Sequence, residues 1–176
     1  MASPDFRTSG LPDFRTVAII PSMPRLALTI LNRSGKRPRY GRARLQRVLD
    51  AATKEAGIRR ASLTILLVGD KESAALHGQH FSDPTTTDVM TFPDGSENPA
   101  TGILHLGDLA VCVDVAAREG TARDRSTGDE LTLYSLHGLL HLIGYDDVTP
   151  KKQARMWQAQ RRLLAKVGIV IEENAG

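Results

Sequence analysis

The chain has 176 residues and a formal net charge of +3, and its composition, 41% hydrophobic and 24% charged, is that of an ordinary globular protein. It has no run of about 20 apolar residues, which argues against a membrane-spanning helix, and we see no apolar core of a secretory signal. Cys112 is the only cysteine, so an internal disulfide is excluded. We therefore expect a cytoplasmic protein with no membrane partner, whose mild positive charge permits a nucleic-acid partner.

The two ends of the chain differ from its middle. The pentapeptide Pro-Asp-Phe-Arg-Thr at 4–8 recurs at 12–16, a local duplication that is too short to be a structural repeat. We expect residues 1–24 to be a poorly ordered tail, residues 25–168 to form one domain, and residues 169–176 to be a C-terminal tail.

Within residues 25–168, hydrophobic periodicity and turn residues predict alternating strands and helices. The expected strands are Leu26–Leu31, Ala61–Val68, Thr85–Pro93 and Ile103–Val113, the last bulged at Gly107. The expected helices are Leu45–Ala56, Lys71–Gln79, Asp114–Gly120, Thr127–Ile143 and Pro150–Val167, with Trp157 in the core. This order indicates a single α/β or α+β domain, one sheet with helices packed on it.

Positive charge is concentrated in two segments of the chain. The first contains seven basic residues and no acidic one: Arg33, Lys36, Arg37, Arg39, Arg42, Arg44 and Arg47. The second lies in the last predicted helix: Lys151, Lys152, Arg155, Arg161, Arg162 and Lys166. Charge alone fits two interpretations equally, solvated helix faces or a footprint on a phosphate backbone.

The most informative segment runs from His137 to Asp147, His-Gly-Leu-Leu-His-Leu-Ile-Gly-Tyr-Asp-Asp. Two histidines four residues apart share one helix face, so both imidazoles can bind one metal ion. Gly144 allows a left-handed turn after the helix, and the turned chain can bring Asp147 back to the same ion. Three ligands leave a tetrahedral ion with one open position, which is typical of a catalytic site. Two core histidines are the alternative interpretation of the pair alone.

Gly138 argues against one class of metal enzyme. Metallopeptidases with a His-Glu-x-x-His helix use the glutamate beside the first histidine as a general base. Glycine at that position cannot accept a proton, and it favours close packing or room for a bulky substrate. A metal ion there is still able to generate a nucleophile from water or polarise a phosphoryl oxygen.

The same segment resembles the YbeY family of bacterial endoribonucleases, also called ribosomal RNA maturation factors. The resemblance extends to the segments Thr87–Pro93 and Leu106–Val111 and covers approximately residues 25–167. It implies an α/β fold with a small mixed β-sheet flanked by about five helices. It also implies a metal-dependent, single-strand-specific endoribonuclease that binds Zn²⁺ through His137 and His141. The expected partners are ribosomal RNA and the small ribosomal subunit, in maturation of the 3′ end of 16S ribosomal RNA and in ribosome quality control.

This chain departs from the family pattern in two places. The family usually has a third histidine where this chain has Asp147, and a carboxylate makes zinc a weaker Lewis acid. Asp146 is expected to support the metal site or the turn, and a role as third ligand in place of Asp147 is its alternative interpretation. The family also has arginine where this chain has Phe81, which cannot pair with a phosphate. His80 or a nearby arginine is a candidate replacement for that arginine.

Other polar residues near these motifs receive structural interpretations. Glu130 is expected to form a capping box with Thr127, and His77, His80 and His105 are expected to be surface or ordinary strand residues. Thr87 and Asp88 are candidates for support of the metal site, and no protein side chain is assigned as catalytic. The main hypothesis is a metal-dependent endoribonuclease. The alternatives are a non-catalytic ribosome-assembly factor with a structural zinc and, less favoured, a metallopeptidase.

Overall fold

The computed structural model describes residues 26–172, and the predicted N-terminal tail, residues 1–24, lies outside the described residues. The strands are β1 (Leu26–Asn32), β2 (Ala61–Val68), β3 (Val89–Pro93) and β4 (Leu104–Cys112). The helices are α1 (Arg42–Glu55), α2 (Asp70–Phe81), α3 (Val113–Ala122), α4 (Thr127–Leu142) and α5 (Pro150–Ala165). This part of the chain contains no helix long and apolar enough to cross a membrane.

The strands form one mixed four-stranded sheet in the order β1-β2-β4-β3. β1, β2 and β4 are parallel, and β3 runs antiparallel to β4 at one edge. Alternate residues of β2, such as Leu63 and Ile65, are fully buried, because successive side chains of a strand point to opposite faces. The predicted α/β fold with a mixed sheet and five helices is confirmed.

Helix α4 is the centre of the molecule. It packs on β3 and β4 and also contacts α1, α3 and α5. Gly138 makes the packing on the sheet possible, because a Cβ atom there would come within 2.8 Å of Leu109 Cδ2 and 3.1 Å of Val89 Cγ2. The close-packing interpretation of this glycine therefore holds. A side chain at this position would meet the sheet.

The β4 bulge is confirmed, and Gly107 is the residue that permits it. The β2–β4 register skips Leu106, so that Ser62 pairs with His105 and Leu63 with Gly107. Gly107 has φ +142°, and a Cβ atom there would lie 2.3 Å from the Phe92 carbonyl oxygen. Only glycine fits this backbone and this close approach to β3.

Three boundaries differ from the sequence prediction. β3 begins at Val89 and not at Thr85, because the Asp83 carboxylate accepts hydrogen bonds from both Thr85 N and Oγ1 in a local turn. Ser126, one residue before Thr127, caps α4 by accepting from Asp129 N, 3.1 Å away. Ile169 and Ile171 are buried in the core, so the packed chain extends beyond residue 168.

Candidate metal centre and adjoining cleft

The two histidines lie on the last two turns of α4. Their Nε2 atoms are 3.1 Å apart, and the two rings meet edge to face with centroids 4.6 Å apart. Both side chains are about three-quarters buried, at 25% and 29% exposure. The four-residue spacing therefore brings both imidazole nitrogens to one point at the rim of the helix.

A Schellman turn ends the helix and reverses the chain. Gly144 has φ +97°, its N–H donates to His141 O, and Tyr145 N–H donates to Leu140 O. The turn returns Asp147 to the histidines, with Oδ2 3.9 Å from His137 Nε2 and 3.7 Å from His141 Nε2. The predicted residues His137, His141 and Asp147 thus form one group whose ligand atoms lie within 4.8 Å of one another.

Asp146 points to other partners. Its Oδ1 accepts from the N–H groups of Asp147 and Val148, and its Oδ2 accepts from Lys152 Nζ at 2.6 Å. The Lys152 ammonium and these N–H groups hold the pKa of the Asp146 carboxyl below its usual range. Of the two candidate aspartates, Asp147 is the one that lies beside the histidines.

The three ligand atoms fit a tetrahedral divalent ion. Ligands about 2.1 Å from a tetrahedral zinc lie roughly 3.4 Å from one another, and the observed separations are 3.1, 3.7 and 3.9 Å. Burial, followed by the neighbouring His141, lowers the pKa of His137. A neutral imidazole has the lone pair that a metal requires, so the environment of His137 favours the binding-competent form.

Gln160 is a supporting residue that the sequence did not reveal. It lies on α5, is 7% exposed, and its side-chain amide acts on the His137 imidazole in the direction that raises the pKa of His137. A second partner of this kind fixes the orientation of a metal-binding imidazole. The helical spacing of α5 places Gln160 on its buried face with Met156 and Leu163, and a polar residue on that apolar stripe was the available signal.

Thr87 and Asp88 lie on the opposite side of the cleft, before β3. Buried Ser73 of α2 anchors them, since its Oγ donates to Thr87 O and accepts from Thr87 N. Asp88 Oδ1 accepts from Val89 N at 2.8 Å and from Thr87 Oγ1 at 3.2 Å. The Asp88 charge acts on His137 in the direction that raises its pKa, opposite to burial. The structure thus brings this pair into the neighbourhood of the histidines.

A small cavity of about 160 Å³ joins the two sides. It is lined by His77, Phe81, Thr87, Val89, Met90, Thr91, His137 and His141. None of these lining residues, all in the described part of the chain, is a lysine or arginine. His80 lies edge to face against Phe92, with centroids 5.0 Å apart. Within the described chain, this lining therefore offers no lysine or arginine in place of the arginine that the resemblance implies at Phe81. The described arginines that line the larger cavity beside it are Arg118, Arg123 and Arg125.

A larger cavity of about 530 Å³ adjoins the first one and shares Thr87 with it. Glu130, 1% exposed, lines it and forms an ion pair with Arg125 in which Nε and Oε1 are 2.6 Å apart. The capping-box prediction for Glu130 is therefore wrong, because Ser126 caps the helix and the Glu130 carboxylate is buried. Trp157 also lines this cavity and packs partly against the core.

The remaining predicted histidine, His105, belongs to another network. Its Nδ1 is 3.0 Å from Ser62 Oγ and its Nε2 is 3.0 Å from Asp108 Oδ1. It is not among the residues that line the small cavity. The ordinary strand position expected for it agrees with these contacts.

Ion pairs engage much of the basic charge. In the first segment, Arg33, Lys36 and Arg44 pair with Glu72, Asp114 and Asp129. In the second, Lys152 pairs with Asp146, and Arg162 and Lys166 both pair with Glu55. Four cations of the first segment make no ion pair within residues 26–172, and one of them, Arg42, donates a hydrogen bond to Leu28 O. Arg37, Arg39 and Arg47 make neither an ion pair nor a side-chain hydrogen bond in this part of the chain, so they are available to a phosphate backbone.

Comparison with known proteins gives one consistent family. A family model described as Endoribonuclease YbeY matches residues 30–168. An Endoribonuclease YbeY from Kineococcus radiotolerans is 40% identical over 117 residues, 61% of this chain and 68% of that protein. One from Anaeromyxobacter sp. is 40% identical over 140 residues, 78% of this chain and 71% of that protein.

Two further relatives extend the comparison. An Endoribonuclease YbeY from Bifidobacterium longum subsp. infantis is 39% identical over 109 residues, 60% of this chain and 60% of that protein. The solution structure of TM1509 from Thermotoga maritima is similar with a TM-score of 0.54 at 24% identity, covering 80% of this chain and 88% of that one. The structural likeness supports the fold.

Proposed function

This chain belongs to the Endoribonuclease YbeY family, and from that premise we propose that it is a metal-dependent endoribonuclease that cleaves single-stranded ribosomal RNA. The observation that carries the metal dependence is the convergence of two imidazole nitrogens and one carboxylate oxygen within 4.8 Å, beside an open cavity. The names of the relatives support an RNA substrate.

His137, His141 and Asp147 are the proposed ligands of one Zn²⁺ ion. An ion held by these three residues would act as a Lewis acid and lower the pKa of a water molecule toward about 7. We assign Gln160, whose amide acts on the His137 imidazole, the role of orienting that ring by a hydrogen bond. Asp88 Oδ2 makes no hydrogen bond within the described residues, and we assign it the role of accepting one from the substrate or from water. Thr87 supports Asp88 through its Oγ1.

The finer parts of the proposal concern the biological setting. We propose that the protein acts in the cytoplasm on the 3′ end of 16S ribosomal RNA, in contact with the small ribosomal subunit, and that it also serves ribosome quality control. Arg37, Arg39 and Arg47 are the proposed contacts to the RNA backbone outside the cleft, because their side chains make neither ion pairs nor hydrogen bonds in the described chain. Three such contacts would give cleavage a strong dependence on salt.

The test is the double substitution His137→Ala/His141→Ala. We expect it to remove bound zinc and RNA cleavage together, because both imidazoles point to one ion. Metal content is measured on the purified protein by mass spectrometry, and cleavage on a labelled single-stranded RNA. His105→Ala removes a histidine from the Ser62–Asp108 network and is the matched control with unchanged metal content. Normal cleavage by the double variant would contradict the metal mechanism.

A second candidate function is a non-catalytic ribosome-assembly factor with a structural zinc. Phe81 favours it, because it stands where the family has arginine and no lysine or arginine lines the small cavity within the described chain. Single-turnover cleavage by the zinc-loaded protein separates the two candidates, with ribosome co-sedimentation measured on the same sample. Co-sedimentation without cleavage would favour the assembly factor. Peptide hydrolysis is not proposed, because Gly138 has no carboxylate to act as a general base. The glutamate that metallopeptidases have at this position would meet the sheet.

A further inference from the structure

Phe81 is an exposed aromatic residue at the edge of the small cavity. Its side chain is 51% exposed at the last residue of α2, and it lines the cavity together with His137 and His141. Single exposed apolar side chains are common on protein surfaces. The other large ones in the described chain, Leu31, Val148 and Val170, do not line this cavity. The position of Phe81 beside the histidines therefore requires its own explanation.

The exposed ring is held in place by aromatic neighbours. Its centroid is 5.5 Å from that of His77 and 6.3 Å from that of Phe92, with tilted ring planes. Both separations lie in the range that aromatic pairs prefer. His77 is in turn fixed by its Nδ1, 3.0 Å from Thr85 O, and Phe92 by the edge-to-face contact with His80. A ring that is already fixed loses little entropy when a ligand packs on it.

The size of the cavity decides which part of a nucleotide lies where. At about 160 Å³ it is smaller than the roughly 300 Å³ at which ordinary ligand pockets begin. It accommodates a phosphate group beside the histidines, but not a whole nucleotide. The attached base then lies outside this small cavity, either in the larger cavity that adjoins it at Thr87 or against Phe81, which is the exposed residue of the small cavity's lining.

From these observations, and resting on the proposed ribonuclease function, we propose that Phe81 is a stacking platform for the nucleobase that adjoins the phosphate at the histidine pair. A base can lie on the free half of the ring only when it has left its own stack, so the platform selects single-stranded RNA. A neutral ring gives no charge to the phosphate, and Phe81 therefore acts by positioning.

The platform is tested by binding, in addition to cleavage. A single-stranded RNA carries one 2-aminopurine, moved along the strand in successive probes, and its fluorescence is followed by stopped flow in the phase before cleavage. We expect saturable quenching for at least one probe position. Phe81→Leu keeps an apolar side chain without a π face, and we expect it to abolish that quenching and to lower RNA affinity about tenfold, or about 1.4 kcal/mol. Phe81→Tyr should restore both.

Two controls make the result specific. Leu31→Ala changes a residue with the same 51% exposure on β1, the edge strand farthest from β3, and should leave affinity and quenching unchanged. A duplex of the same sequence offers no unstacked base, so Phe81→Leu should change its affinity less than about twofold. Equal quenching and affinity in wild type and Phe81→Leu would overturn the platform, including the case in which Phe81 contacts a protein partner instead.

The two proposals fail in different ways. Quenching that depends on Phe81, without any RNA cleavage, would support the platform and contradict the ribonuclease function. Zinc-dependent cleavage with the same KM in wild type and Phe81→Leu would support the ribonuclease and contradict the platform. If both hold, Phe81→Leu should raise KM more than it lowers kcat, because the ring binds a group remote from the bond that breaks.

Discussion

The two sides of the cleft are built in different ways. On one side, eleven consecutive residues from His137 to Asp147 supply all three candidate metal ligands, through helical spacing and one glycine turn. On the other side, Phe81, Thr87 and Asp88 are placed by contacts between α2, the loop after it and β3. The first side is fixed by local geometry and the second by tertiary packing. The arrangement of the first side can therefore be derived from the sequence alone, whereas that of the second side requires the folded structure.

The largest effect is expected for a substitution on the first side, within the segment from His137 to Asp147. Asp147→Ala removes the carboxylate that faces both histidines, and we expect zinc affinity to fall about a hundredfold, or about 2.7 kcal/mol. Zinc affinity is measured by competition with a chromophoric chelator. Asp146→Ala is the matched control: it should leave zinc affinity within about threefold of wild type and lower stability by about 1 kcal/mol, because it removes turn hydrogen bonds. The reverse pattern would make Asp146 the ligand.

The next largest effect is expected where α4 packs on the sheet. Gly138→Ala places a Cβ atom 2.8 Å from Leu109 Cδ2 and 3.1 Å from Val89 Cγ2, so we expect a loss of about 2 kcal/mol in the free energy of unfolding. Helix propensity alone predicts the opposite sign, a gain of about 1 kcal/mol. The measurement is urea denaturation.

A glycine in another helix provides the control for that sign. Gly78→Ala in α2 meets only Pro84 atoms at 3.4 Å or more, which is ordinary contact. We expect this variant to be as stable as wild type or more stable. If Gly138→Ala were also stabilised, α4 would not lie as close to the sheet as the structure has it.

The same contrast between local geometry and tertiary packing determines how much of each side can be predicted from the sequence. The β2 bounds Ala61–Val68, the start of α5 at Pro150 and the close approach of His137, His141 and Asp147 were predicted, because each depends on neighbours in the chain. The contact of Gln160 with His137 was not predicted, because it depends on how α5 packs on α4. The same holds for Glu130: its spacing suggested a cap, but its burial against Arg125 depends on tertiary structure.

The smallest effect is expected at Glu55, which belongs to neither side of the cleft. A substitution there tests the stability of the fold without changing the cleft. Glu55 on α1 accepts hydrogen bonds from Lys166 and Arg162, and these two cations hold the pKa of its carboxyl below the usual value. Its side chain is 34% exposed, so solvent screens the pairs. At pH 7 we expect Glu55→Gln to lower the free energy of unfolding by about 0.5 kcal/mol, as measured by urea denaturation.

The lowered pKa of Glu55 also fixes how the stability difference between wild type and Glu55→Gln depends on pH. A carboxyl whose pKa is lower in the folded state stabilises the fold above its unfolded pKa of about 4.3, and that contribution disappears as the pH falls through the folded value. The difference between wild type and Glu55→Gln should therefore be constant from about pH 8 to pH 6 and shrink below about pH 4. Glu97→Gln, at a residue with no ion pair within residues 26–172, is the control and should leave the free energy of unfolding at pH 7 unchanged. A Glu55→Gln difference that grew on acidification would mean that the Lys166 and Arg162 contacts do not lower the pKa of this carboxyl in solution.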